Sequence, residues 1–223
     1  MAEDEKEPLP LPAYGFNPDD IVVLLVGSQE RKMIVHSPQI TAHSEFFAAS
    51  LKKEWIEGQA RDIKLPEEEP EIMAYDIEFV YFSKLPTDIY TTTSPGLEKE
   101  FGYKLLAELY VLAERMLDSK CRNRVLQEIL RLRDLKCKTN VKWNPTCVPI
   151  NIIYQGTTPG SPARRLLVDI HVSDAREDWY PEDVHVDPVF LMDLVRRFLG
   201  CFKTSEGLPK NNRFDIAAED YTI

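Results

Sequence analysis

The chain contains few glycines, and it has no long apolar run. Its 223 residues include 9 glycines and no Gly-x-Ser-x-Gly elbow, Walker phosphate loop, Gly-x-Gly-x-x-Gly or Cys-x-x-Cys motif. The common sequence signatures of hydrolases, nucleotide-binding proteins and thiol oxidoreductases are therefore absent. No apolar run approaches the roughly 18 residues that a transmembrane helix needs, so we expect no membrane span.

Cysteine is also scarce, and its spacing indicates neither disulfides nor a metal site. The four cysteines are widely separated (Cys121, Cys137, Cys147 and Cys201). This usage favours a reduced, intracellular protein, either cytoplasmic or nuclear. Combined with the histidines, the cysteines match no common zinc-ligand spacing, and no set of nucleophile, base and oxyanion donors can be named. We therefore predict no metal site, no catalytic residue, no cofactor and no small-molecule substrate.

Basic residues are also fewer than acidic ones. Lys and Arg number 27 against 37 Asp and Glu, which gives a net charge of -10. Phosphate contacts need a surplus of Lys and Arg, so we do not expect this chain to be a dedicated nucleic-acid binder. The 43% apolar and 29% charged residues are ordinary for a globular protein. Composition therefore indicates a soluble, intracellular and acidic protein.

The most informative stretch is the hairpin pattern near the N-terminus. Ile21–Val26 is a continuous apolar, β-branched run, which predicts a strand buried on both faces. A polar turn over residues 27–30 precedes a second strand over Lys32–Val35. Pro38 then suits the first position of a helix, and Ser44 can cap a second one.

Further helices follow downstream. Phe101–Leu117 carries apolar residues every three or four positions, as an amphipathic helix does. Asp118 or Ser119 can cap a second helix, whose predicted apolar stripe is Cys121, Val125, Ile129 and Leu132. The two helices would form an antiparallel hairpin. Between the hairpins, β-branched residues at Ile89–Thr92 predict a short β segment.

These patterns together resemble the BTB/POZ domain. Its entry pattern is matched here by Asp20, Leu24, Val26, Gly27, Val35, His36, Ile40, Ser44, Phe46 and Phe47. Three later segments resemble further parts of the family's fold. Ala60–Met73 resembles its third strand and the start of its next helix, Tyr75–Pro86 resembles that helix, and Phe101–Leu130 resembles its closing helical hairpin. The resemblance implies an α/β (α+β) fold, in which a small three-stranded sheet is flanked by helices.

The domain organisation follows from this resemblance and from changes in composition. Residues 1–17 are predicted to be a disordered acidic leader, 18–133 the BTB/POZ domain, 134–147 a linker and 148–223 an α/β extension packed on the BTB module. The extension is predicted as strand–loop–strand–helix, with strands at Val148–Tyr154 and Arg165–Val172. Asp187 would cap the final helix, whose predicted apolar face is Val189, Met192, Val195, Phe198 and Leu199. This order is similar to small fungal BTB proteins.

The resemblance also implies a function. BTB modules bind proteins, often as homodimers, and some recruit cullin-type ubiquitin ligases as substrate adaptors. The implied partner-binding residues are Trp55, Glu57, Phe47, Leu51, Tyr81 and Phe82, and the implied dimer groove is formed by Asp20, Val23, His36 and Ser37. The Trp55-Ile56-Glu57 step resembles the φ-x-E step of cullin-binding members. The alternative is an oligomerisation scaffold or regulator without a ligase role.

One position departs from the family. Ser37 stands where BTB transcription regulators carry a Lys or Arg that pairs with the Asp at the position of Asp20. A charged corepressor-type groove is therefore not expected. Any client protein would have to be recognised by residues 148–223 or by the disordered ends of the chain. The terminal sequence FDIAAEDYTI has the acidic and aromatic mix of a short docking peptide.

Overall fold

A small sheet followed by helices makes up the described part of the chain. The computed structural model describes residues 20–52, 61–93, 96–135, 144–174, 185–203 and 216–222. The elements are β1 (Ile21–Val26), β2 (Arg31–His36), α1 (Ser37–His43), α2 (Glu45–Ser50), β3 (Asp62–Leu65), α3 (Pro70–Phe82), α4 (Gly96–Arg115), α5 (Ser119–Asp134), α6 (Cys147–Gly156), α7 (Pro162–Asp174) and α8 (Pro188–Lys203). Two 3-10 helices span Pro86–Ile89 and Ala218–Tyr221. The mixed α/β class with a three-stranded sheet is confirmed.

The sheet has the strand order β2-β1-β3. β1 pairs with β2 antiparallel and with β3 parallel. The prediction that β1 is buried on both faces is wrong. Val22, Leu24 and Val26 are fully buried, whereas Ile21 is exposed and Val23 and Leu25 are half-buried.

Local capping sets the start of the helices after the hairpin. α1 begins at Ser37, with Pro38 in its first turn. Ser44 lies between α1 and α2, and its Oγ accepts a hydrogen bond from the Phe47 amide at 3.1 Å, as predicted for a cap. The same Oγ donates to the Met116 carbonyl oxygen at 2.5 Å. One hydroxyl therefore caps α2 and joins it to the end of α4.

The closing helical hairpin is also confirmed. α4 and α5 are joined through Leu117, which has a positive φ of 54°. Asp118 rather than Ser119 is the cap, because its Oδ1 accepts from the Cys121 amide at 2.9 Å. The predicted stripe of α5 (Cys121, Val125, Ile129 and Leu132) is buried in the core.

The two strands predicted in the extension are wrong. Val148–Tyr154 lies within helix α6, and Arg165–Val172 lies within helix α7. An apolar run is compatible with a buried helix as well as a strand, and here helix packing decides. The consecutive residues Leu166, Leu167 and Val168 of α7 are all buried. In a strand with one buried face, consecutive side chains would alternate between buried and exposed. The extension is therefore helical over its described residues, and not strand–loop–strand–helix.

One smaller expectation needs correction, and two others lie partly or wholly outside the described residues. The β segment predicted at Ile89–Thr92 is instead the end of a 3-10 helix followed by a turn, since Pro86 begins that helix. The predicted linker 134–147 starts at the last residue of α5 and ends at the first residue of α6; residues 136–143 lie outside the described part. The leader 1–17 also lies outside it.

The final helix turns a different face to the core than predicted. Asp187 caps it, since its Oδ1 accepts from the Val189 amide at 2.8 Å. Phe190 is the buried anchor, packed edge-on against Tyr154 and His171. The predicted apolar face is exposed instead (Val189, Met192, Val195, Phe198 and Leu199, with Leu191 beside them). Among the described helices, none combines the length and the apolar character that crossing a membrane requires.

Candidate protein-binding surfaces

Three of the predicted groove residues meet where the hairpin enters α1. Ile21, the first residue of β1, is paired with His36, the last residue of β2. Asp20 directly precedes β1 and Ser37 directly follows β2, so the two are neighbours. The Ser37 amide donates to the Asp20 carbonyl oxygen at 2.8 Å. Asp20, His36 and Ser37 are each half-buried. The structure therefore places these three residues next to one another, through the backbone, at one corner of the sheet.

Val23, the fourth predicted groove residue, lies on the outer face of the sheet. Its neighbour across the hairpin is Ile34, and Ile21 lies on the same face two residues away. Ile34 is 69% exposed and Ile21 is 39% exposed. We call these three residues, Ile21, Val23 and Ile34, the outer apolar strip. A cluster of apolar side chains on an open sheet face is typical of a protein-binding surface.

Asp20 has a charged partner that the sequence did not reveal. An Arg61 Nη1 lies 3.6 Å from Asp20 Oδ1. Arg61 precedes β3, which is parallel to β1, and its carbonyl oxygen accepts from the Val23 amide at 2.9 Å. The cation that Ser37 does not supply is therefore provided by a residue about 40 positions later in the chain. Only the parallel β1–β3 pairing brings the two together.

His36 is tied to helix α3. The Tyr81 hydroxyl accepts from the His36 amide at 2.9 Å and lies 2.8 Å from His36 Nδ1. The two rings also meet edge-on, with centroids 6.0 Å apart. The arrangement gives His36 a packing and hydrogen-bonding role. It also places Phe82, the residue after Tyr81, beside this corner of the fold.

The predicted partner-binding residues differ in exposure. Phe82 is 67% exposed, and Tyr81 and Leu51 are half-buried. Phe47 is 2% exposed and belongs to the core, where it packs edge-on against Phe46. Trp55 and Glu57 lie outside the described residues. Phe82 is therefore the predicted contact with the largest free surface within the described chain.

A buried acidic cluster lies beneath these surfaces. Asp76 of α3 is 4% exposed, and its Oδ1 makes no hydrogen bond. Burial, and then the neighbouring Asp118 carboxylate, raise the pKa of Asp76 to about 7. Burial also raises the pKa of the Cys121 thiol well above its usual value. A buried, protonated thiol is a poor nucleophile and metal ligand, so this cluster has a structural role.

No metal-binding group is found in the described part of the chain. No three or more His, Cys, Asp or Glu side chains lie together there in a way that could hold an ion. His171 is 2% exposed, and its Nδ1 lies 2.7 Å from the Leu167 carbonyl oxygen. Burial lowers the pKa of His171 to about 4.

Comparison with known proteins gives no family for this chain. Neither the protein-family models nor the curated proteins contain a match to the sequence. The resemblance to the BTB/POZ domain therefore stays a prediction from the sequence.

Proposed function

We propose that this chain is a BTB-type protein-binding module that self-associates through the outer face of its sheet and recruits a cullin scaffold of ubiquitin ligases, acting as a substrate adaptor. The observation that carries the proposal is the outer apolar strip, in which Ile34 is 69% exposed beside Val23. This strip borders the corner formed by Asp20, His36 and Ser37.

The order of the elements supports the BTB part of the proposal. A β-hairpin is followed by two short helices, a third strand parallel to the first, a further helix and a helical hairpin. The resemblance described above implies the same succession. It also implies that the module acts by binding, which agrees with an exposed apolar strip beside a polar corner.

The edges of the sheet favour association through the face. Both outer strands carry charged residues: Arg31 and Lys32 on β2, and Asp62 and Lys64 on β3. Charged residues on edge strands oppose pairing with a strand of another chain. A symmetric contact through the outer apolar strip would instead bury apolar surface on both copies.

Self-association is tested by light scattering on variants. Ile34→Asp places a charge in the outer apolar strip, and we expect the dimer mass to fall to that of a monomer. The matched control is Ile89→Asp, because Ile89 is 79% exposed and lies outside the strip. Circular dichroism checks that both variants fold. A wild-type monomer, or an Ile34→Asp variant that stays dimeric, would contradict this interface.

Cullin recruitment is tested by titrating the protein with a cullin N-terminal domain. We expect Phe82→Ala to weaken binding at least tenfold, since aromatic side chains anchor many interfaces. The matched control is Phe101→Ala, whose side chain is 54% exposed on α4. A Trp55→Ala, Glu57→Lys double variant tests the φ-x-E step. Self-association without cullin binding would favour the scaffold function instead.

A further inference from the structure

A cavity of about 530 Å³ lies between α7 and α8, away from the surfaces described above. Helix α7 contributes Arg164, Arg165 and Asp169, and α8 contributes Asp193, Arg196 and Arg197; Tyr154 completes the polar lining. The four arginines are close together in a protein whose net charge is -10. The cavity therefore differs in charge from the protein as a whole.

Two of the arginines are already paired with the aspartates of the cavity. Arg197 Nε lies 2.6 Å from Asp169 Oδ1. Arg196 Nη1 lies 3.4 Å from Asp193 Oδ1, and its side chain is 72% exposed. Among the described residues that line the cavity, four guanidinium groups face two carboxylates, which leaves a surplus of two positive charges. The surplus belongs to Arg164 and Arg165.

Arg164 is held in place by neutral groups. Its side chain donates to the Tyr154 carbonyl oxygen at 2.7 Å, to Thr157 Oγ1 at 2.9 Å and to the Thr157 carbonyl oxygen. Its Cζ also lies 4.6 Å from the centroid of the Tyr154 ring. Arg164 is only 7% exposed and forms no ion pair with a described carboxylate. A nearly buried charge without a counter-ion is unfavourable, so an anion in the cavity would stabilise it.

Arg165 has no carboxylate partner within the described chain either. Its Cζ lies 5.8 Å from the centroid of the Tyr221 ring, and its side chain is exposed. The nearby acids Glu219 and Asp220 are exposed and form no ion pair with it. Within the described residues, Arg165 is therefore positioned beside Tyr221 without a carboxylate counter-ion.

The position of the two arginines on α7 adds to this surplus. Both stand in the first turn of the helix, which has no acidic residue there. The N-terminal end of a helix carries partial positive charge, so acidic residues stabilise it and basic residues do not. An anion would offset both the side-chain charges and the helix dipole.

We propose that this cavity binds a phosphomonoester carried on the side chain of a client protein. A phosphomonoester carries about 1.5 to 2 negative charges at neutral pH, which matches the surplus of two. Its oxygens can accept paired hydrogen bonds from guanidinium groups, which is how arginine clusters recognise phosphorylated peptides. The proposal rests on the proposed function in one respect, that the chain binds a client protein.

The test is a titration followed by NMR of the arginine side-chain Nε–Hε signals. The probes are an alanine pentapeptide with phosphoserine at its centre, the same peptide with serine, the same peptide with glutamate, and inorganic phosphate. We expect only the phosphoserine peptide to saturate the shifts of Arg165 and Arg196. No saturable shift with this peptide would overturn the site.

Two other outcomes would change the ligand. If inorganic phosphate binds as tightly as the phosphoserine peptide, the proposal that a client protein carries the phosphate is wrong, and the ligand is a small phosphorylated molecule. If the glutamate peptide binds as tightly, the proposal that the ligand is a phosphate is wrong, and the ligand is an acidic segment. Both comparisons use the full chain under the same ionic conditions, because salt screens exposed charges.

Variants locate the binding. Arg165→Gln combined with Arg196→Gln should weaken phosphoserine-peptide binding at least tenfold. The matched control is Lys64→Gln combined with Lys104→Gln, which makes the same change in net charge at exposed lysines elsewhere, and it should stay within twofold. Equal weakening by both pairs would overturn a specific site.

The result separates the site from the proposed function. Peptide binding that depends on the arginines, in a protein that neither self-associates nor binds the cullin domain, would support the site and overturn the adaptor proposal. Self-association and cullin binding without peptide binding would overturn the site alone.

Discussion

A Cβ atom on Gly156 would lie 2.5 Å from Cγ1 of Val111, so the last residue of α6 is in close contact with the C-terminal part of α4. No side chain larger than hydrogen fits at Gly156 without movement of Val111. The contact connects the C-terminal helices to the helical hairpin. Because protein interiors are closely packed, the interface between α6 and α4 at this point has little room for an added methyl group.

Gly156→Ala should therefore lower the free energy of unfolding by about 1–3 kcal/mol, the usual cost of overpacking. Chemical denaturation measures this value. The control is Gly200→Ala, where no atom lies within 4 Å of the added Cβ and which we expect to be neutral or stabilising in a helix. Val111→Ala should rescue Gly156→Ala in part; additive losses instead would show that the two residues are not in contact.

Asp76 should make stability fall as the pH rises. Its pKa is raised from 3.8 in the unfolded chain to about 7 in the fold, chiefly by burial and then by the Asp118 carboxylate. Between these pH values the folded state holds a proton that the unfolded state has lost. This contribution is complete below pH 4 and is lost as the pH rises through about 7.

Denaturation of the wild type and of Asp76→Asn at several pH values measures this effect. Between pH 4 and pH 8 the wild type should lose on the order of 2 kcal/mol relative to Asp76→Asn, a fraction of the energy that a shift of this size represents. Parallel stability curves for the two proteins would contradict the raised pKa.

His171 should have the opposite pH dependence. Burial against Phe190 lowers its pKa from 6.5 to about 4, so the folded state keeps the ring neutral while the unfolded state binds a proton. Its contribution to stability is present above pH 6.5 and is lost as the pH falls to about 4. His171→Gln should remove this loss in denaturation experiments at pH 4 to 7. A variant that follows the wild-type curve in parallel would show that His171 does not resist protonation.

Glu128 should be the most sensitive ionisable position in α5. It is fully buried and accepts hydrogen bonds from Thr87 Oγ1 at 2.8 Å, Arg131 Nη2 at 2.6 Å and Arg124 Nη1 at 3.0 Å. Burial alone would raise its pKa, but these hydrogen bonds lower the pKa below its usual value. Glu128→Leu leaves two arginines without this partner, and we expect a loss of about 3–5 kcal/mol in the free energy of unfolding.

The control is Glu108→Leu. Glu108 forms an exposed i,i+4 pair with Lys104 at 3.5 Å, and loss of such a pair should cost less than about 1 kcal/mol. Thermal unfolding followed by circular dichroism distinguishes the two variants. A similar loss of stability in both variants would show that the buried hydrogen bonds of Glu128 stabilise the fold no more than an exposed ion pair does.

The first half of the fold was predictable because its signals are local. The apolar run Ile21–Val26, the cap at Ser44 and the stripe from Cys121 to Leu132 each depend on residues a few positions apart. Caps and periodicity act within one or two turns, so the sequence carries them directly. The strand and helix bounds accordingly agree with the prediction to within a few residues over most of this region.

Helices α6 and α7 were not predictable by the same reasoning. Residues 148–154 and 165–172 are apolar and rich in β-branched residues, which suits a strand. Both form helices because α4, α6, α7 and α8 pack together and bury more than one side of the run. The propensity of a short segment is small beside the free energy of that burial.

The hairpin, its caps and the amphipathic helical pair follow from neighbouring residues and could be predicted from the amino-acid sequence. The meeting of distant residues is visible only in the folded chain: Arg61 lies beside Asp20, and Arg165 and Arg196 line the same cavity. Parallel strand pairing makes the first contact and helix packing makes the second. Both bring together groups far apart in the chain, and no local pattern specifies such pairs.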